Sequence, residues 1–123
     1  MSPRTAARAL AATFLVTGTT HFLAPRFYEP LVPPALPGSQ RLWVYASGAA
    51  ELVCCAGLAA ERTRRRASTA SAVLLVAVVP GNAWMAWRWR HRPAPLRLAA
   101  YLRVPLQVPL VGWARYCGRE GTG

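Results

Sequence analysis

The stretch Leu42–Ala60 (LWVYASGAAELVCCAGLAA) constrains this chain most. It is nineteen residues long and apolar nearly throughout, with one carboxylate, Glu51, at its middle. As an α-helix it spans about 28 Å at 1.5 Å per residue, close to the roughly 30 Å hydrocarbon layer of a bilayer. A carboxylate at that depth is costly against acyl chains. It is tolerated where it faces protein, water or a partner charge. The rest of the chain must supply that setting.

A chain of 123 residues has room for one domain, 1–123. It is 54% hydrophobic with a mean hydropathy of +0.21, yet its formal charge is +11. Those properties conflict for a water-soluble domain and agree for a small multi-pass membrane protein whose charges lie between apolar segments. All fifteen basic residues are arginines, and most lie in those gaps, which argues against a nucleic-acid partner. Cys54, Cys55 and Cys117 form no C-x-x-C pair and no Cys/His set with metal spacing, so they read as small apolar helix residues.

Four apolar segments follow in order. In Ala6–Leu23 the apolar run follows Arg4 and Arg8, as in a signal peptide. It ends in TGTTHF and Pro25 without a small-residue cleavage site, which makes it a retained membrane helix. Residues 25–40 hold five prolines and read as an ordered loop over the helix ends, with Phe27 and Tyr28 at headgroup depth. Leu42–Ala60 is the second helix, and its small polar stripe of Gly48, Glu51 and Cys55 should face the other helices. Glu61–Arg66 (ERTRRR) reads as an inside-facing loop.

Ser68–Trp87 is the third helix, interrupted at Pro80-Gly81-Asn82, where Pro80 frees the carbonyl of Val76. Trp84, Trp87 and Trp89 read as an interfacial belt. Leu98–Ala114 is the fourth, with Arg103, Gln107, Pro105 and Pro109. A central Arg costs about 2.5–3.5 kcal/mol on insertion scales, so this helix must insert beside a partner. The expected fold class is therefore all-α, a four-transmembrane-helix bundle with helices three and four kinked at proline. With both termini inside, eight arginines flank the inner helix ends and six the outer, and the dense run Arg62–Arg66 sets the orientation.

This topology places His21, Glu51, Asn82, Arg103 and Gln107 within about 3–14 Å of the outer boundary. A charge facing lipid would cost several kcal/mol, so an inward cluster is expected, with Glu51 and Arg103 as its natural ion pair. Two readings follow. In one, the pair ties helices two and four together while Asn82 and Gln107 satisfy carbonyls at the kinks. In the other, the cluster is a ligand-binding pocket open to the outer face, with His21 at its rim as a proton donor or acceptor. No Ser/His/Asp triad, phosphate-cradling loop or metal set is visible, so no catalytic role is assigned.

The stretches TGTTHFLAPRFYEPLVPPALPG, YASGAAELVCCAGLAAERTRR, VVPGNAWMA and LRVPLQ contain G-x-x-H-F, S-G-x-x-E, P-x-N and R-x-P-L-Q in that order. Together they resemble the DoxX family of small four-helix membrane proteins, over nearly the whole chain. The family pattern falls on His21, Glu51, Asn82, Arg103 and Gln107. Gly81 and Val104 depart from it, since the family more often has Ala and Leu there, and Gly81 is expected to loosen the kink. The resemblance implies a bundle in a bacterial cytoplasmic membrane.

The resemblance implies little about function; the family's namesake is a subunit associated with a quinone-linked sulfur oxidoreductase, so a membrane oxidoreductase partner and a quinone headgroup among the polar residues are kept as hypotheses, and no cofactor is assigned. No haem, flavin or iron–sulfur spacing supports redox chemistry in this chain itself. The expected function is an accessory or small-ligand-binding membrane component. The alternatives are a proton-coupled small transporter, a membrane redox enzyme and a purely structural subunit.

Overall fold

Ser2 sets the first helix. Its hydroxyl accepts the Thr5 backbone N–H at 3.2 Å, and Pro3 takes the first helical position, where a missing N–H costs nothing. The computed structural model describes residues 2–119, and among these there is no strand. Five helices follow in order: α1 Pro3–Leu23, α2 Gln40–Ala59, α3 Arg64–Ala77, α4 Val79–Arg88 and α5 Ala94–Cys117. Two short 3-10 turns, Pro25–Phe27 and Glu29–Leu31, lie in the proline-rich loop. Ser39 caps α2 by accepting the Leu42 N–H at 3.1 Å.

The expected elements are present, with three differences. The α1 helix starts at Pro3 rather than Ala6, because Ser2 and Pro3 supply a cap that hydropathy does not register. The third helix begins at Arg64, inside the run expected to be loop, and it is broken rather than kinked. The α3 helix ends at Ala77, and Pro80 lies in the first turn of α4. A proline inside a helix removes a hydrogen bond and clashes with the preceding turn, whereas in the first turn it does neither. The fourth helix is the longest, 24 residues, with Pro105 and Pro109 inside it.

The long rods pack in the cyclic order α1, α2, α3, α5, while α4 lies against α5 and the Glu29–Leu31 turn. The α2 and α5 helices stand on the diagonal of that ring. The most extensive helix pairing is between α1 and α2, and it is close. A Cβ added at Gly48 would lie 2.7 Å from the Cβ of His21, and one at Gly18 would lie 3.1 Å from the Gly48 carbonyl. Two glycines facing each other let the backbones close to a distance that no larger residue permits.

The dry core fills the end of the ring nearer the chain termini. Ala6, Leu10, Phe14, Leu58, Ala114 and Cys117 are buried there. Three ties lock that end. The Trp113 indole donates to the Ala6 carbonyl at 3.1 Å, the Ser68 hydroxyl donates to the Ala114 carbonyl, and Arg4 pairs with Glu61. Large apolar side chains are exposed around the outside, among them Leu23 at 80%, Val108 at 75% and Val53 at 71%. Two rods are long and apolar enough to cross a membrane, Gln40–Ala59 and the combined α3–α4 rod Arg64–Arg88.

Gly48→Ala forces α1 from α2 and is expected to cost about 1–3 kcal/mol, as overpacking does. Gly112 on α5 meets nothing within 4 Å. Gly112→Ala should be neutral or stabilising by up to about 1 kcal/mol, the helix-propensity difference. Thermal unfolding followed by circular dichroism in one detergent checks both. Equal midpoints for the two variants would refute the close glycine contact.

Candidate functional site

The end of the ring away from the termini is not filled. The break at Val78 separates α4 from α3, and a cavity of about 500 Å³ remains among α1, α2, the α3–α4 junction and α5. Volumes of roughly 300–1,000 Å³ are those of small-molecule sites. His21, Glu51, Asn82, Arg103 and Gln107 all line it. Asn82 and Gln107 are buried, 3% and 7% exposed, as is His21. Glu51 is largely buried, and Arg103 is exposed. A second recess, beside Arg4, Arg8 and Glu61, is about 30 Å³, room for a water.

The polar groups do not interact as expected. Glu51 and Arg103 form no ion pair. They stand on the diagonal helices α2 and α5, and the cavity lies between them. The glycine contact instead brings Glu51 against α1. There the Thr17 hydroxyl donates to Glu51 Oε1 at 3.2 Å, and His21 Nδ1 approaches Glu51 Oε2 at 3.2 Å. His21 Nδ1 also lies 2.6 Å from the Thr17 carbonyl. A carbonyl can only accept, so Nδ1 carries a hydrogen and directs it there. The approach to Oε2 is therefore an electrostatic contact, and Oε2 is left buried without a hydrogen bond.

Gln107 does what the structural alternative expected. Its Nε2 donates to the Leu75 carbonyl at 2.6 Å. In an unbroken helix that carbonyl would accept from Val79, but α3 ends at Ala77. The amide of α5 thus repairs the break next to the cavity. The backbone N–H of Asn82 donates to the Val78 carbonyl at 3.0 Å, which closes the first turn of α4.

The proline-rich loop covers the cavity as a roof, and Tyr28, Leu31, Val32 and Leu36 line it. Three bonds fasten this roof to α2. Gln40 Nε2 donates to the Val32 carbonyl at 2.9 Å, Arg41 Nε to Glu29 Oε1 at 3.0 Å, and Trp43 Nε1 to the Pro37 carbonyl at 2.7 Å. Phe27 is exposed, but Tyr28 turns inward and stacks on the His21 ring, with centroids 3.7 Å apart. Burial pushes the Tyr28 phenol above its usual range. The charge of Glu51 adds to this, while Thr20 and Arg103 oppose it.

Gly81 closes the roof rather than loosening a kink, since a Cβ there would lie 2.6 Å from the Leu31 carbonyl oxygen. Trp84 also departs from the expected belt. Its indole N–H is buried and without a partner, while Trp87 is exposed.

Sequence reasoning missed Thr17 and Tyr28. Thr17 lies one turn before His21 on the same face of α1, a spacing that could have marked it. Tyr28 reaches the site through loop geometry that no periodicity encodes. Among the described residues no three His, Cys, Asp or Glu side chains gather into a metal-binding group.

A family described as a domain of unknown function, DUF8561, matches residues 10–117. The chain belongs to that family. No curated protein and no solved structure matches it. The DUF8561 description names no ligand, so the chemistry of this member is read from the cavity itself. The matched residues contain the glycine contact, the helix break and all five polar groups.

Gln107→Leu would leave the Leu75 carbonyl buried without a donor and is expected to cost about 1–3 kcal/mol. Gln107→Glu removes the donor at similar size and should do the same. Melting of the two variants beside the native chain checks this; an unchanged midpoint in both would rule out the repair role.

Proposed function

We propose that this chain is a DoxX-like protein spanning a bacterial cytoplasmic membrane four times, with both termini on the cytoplasmic side. In this reading it binds a small amphipathic ligand in the outer half of the bilayer as an accessory component of a membrane partner. One observation carries the ligand-binding part. Five polar groups from four separate apolar segments line a single cavity of about 500 Å³ and only partly satisfy one another. A purely structural cluster would be expected to close on itself, since unpaired polar groups in an apolar setting are costly.

The membrane part is supported by the two long apolar rods and by the large apolar side chains on the outside of α1, α2, α3 and α5. The α1 and α5 helices are not among those two rods. They would cross beside the apolar rods, with Gln107 and the small residues of the ring interior turned away from lipid.

Trp43 lines the cavity and reports on it. In phosphatidylcholine nanodiscs, 11-bromoundecanoic acid should quench a component of the tryptophan emission that is lost in Trp43→Phe. Glu51→Gln and Arg103→Leu should insert and melt near the native chain, and Arg103→Leu should weaken this quenching at least tenfold. If both variants merely fail to accumulate, the cluster is structural. For topology, alkaline phosphatase fused at Gly118 should be inactive, and the same enzyme inserted at Pro34 should be active. The reverse pattern would overturn the orientation.

A second reading is favoured by one observation: Glu51 has no arginine partner, and a carboxyl that takes up and releases protons needs that freedom. As a proton-coupled transporter the chain would show a pH-dependent flux of a small amphipathic solute in vesicles, absent in Glu51→Gln.

A further inference from the structure

Glu51 and Arg103 present two unmet demands to one cavity. Glu51 Oε1 is occupied by Thr17, whereas Oε2 is buried without a hydrogen bond. Arg103 lines the same cavity from α5 and forms no ion pair among the described residues. Tyr28 lines the cavity from the roof. No ion pair joins the two charges, and their helices lie on the diagonal of the ring. A largely buried carboxyl without a charged partner is costly, and the arginine on the facing wall is left to take an acidic group.

We infer that the occupant is an amphipathic molecule with a two-sided head, a hydrogen-bond donor and an acidic or acceptor group a few atoms apart, on an apolar tail. α-Amino and α-hydroxy acids with long alkyl chains have this chemistry. The donor seats on the Glu51 carboxyl, and the acidic group seats on Arg103. The tail lies along Leu31, Leu74, Val78 and Leu110, which line the same space. A head with one function alone would satisfy one wall and leave the other charge bare. Charge-assisted hydrogen bonds in a dry site are the strong ones, so the two-sided head gains on both walls at once. This assignment rests on the cavity being a ligand site, and it adds which chemistry the site selects.

Three ten-carbon probes separate the terms: decanoic acid with the acid alone, decylamine with the donor alone, and 2-aminodecanoic acid with both. Their chain length is shared, and each displacement is referred to the lipid-bound concentration measured with empty nanodiscs. Each competes with 11-bromoundecanoic acid for quenching of Trp43 in phosphatidylcholine nanodiscs. The expected result is displacement by 2-aminodecanoic acid at a concentration at least tenfold lower than either single-function probe.

Glu51→Gln should reduce its advantage over decanoic acid to less than threefold, and Arg103→Gln should do the same to its advantage over decylamine. Equal displacement by all three probes would overturn the two-sided head while leaving the cavity as a binding site. Absence of any Trp43 quenching in the native chain would overturn both. The comparison of probes on the native chain decides the matter even if a variant fails to fold.

Discussion

The contact between Gly18 and Gly48 determines where every polar group of the site ends up. With no side chain on either residue, α1 and α2 approach until a single added carbon would collide with His21. That proximity puts Thr17 and His21 within reach of Glu51, one helical turn beyond Gly48. A larger residue at either glycine would hold the helices apart and leave the carboxylate facing nothing. The carboxylate is thus committed to α1, and the arginine on α5 is left to face the cavity alone.

The second determinant is the break between α3 and α4. A continuous third helix would have closed the ring along its full length, as it does around Leu10, Phe14 and Leu58. Chain termination at Ala77 and renewal at Val79 let α4 follow α5 and the roof instead. The cost of the break falls on a carbonyl, and Gln107 meets it from the neighbouring helix. Packed core and open cavity are therefore neighbours along the same helices, with Leu10 and Phe14 at the boundary between them.

Much of this was legible in the residues. The apolar segments marked the all-helical fold, although the third expected helix is two, α3 and α4. The cost of polar groups in an apolar setting picked out His21, Glu51, Asn82, Arg103 and Gln107, and the structure gathers all five around one cavity. The pairing among them was not legible. Charge alone favours Glu51 with Arg103, but partner choice depends on which helices are neighbours and which are diagonal, and sequence carries no direct record of that order. Tyr28 was hidden for a related reason. A loop residue has no period to betray which way it points, so an aromatic assigned to the headgroups turns out to stack on the histidine ring. Gly81 looked like a weak spot at a kink and is a point of closest approach to the roof.

The three hydrogen bonds from Gln40, Arg41 and Trp43 make the roof a continuation of α2. No comparable hydrogen bond joins the roof to α4 among the described residues, where Gly81 and Leu31 meet by contact alone. The roof is therefore tied to α2 by directed bonds and to α4 by close packing, so a displacement of α2 would carry the roof with it.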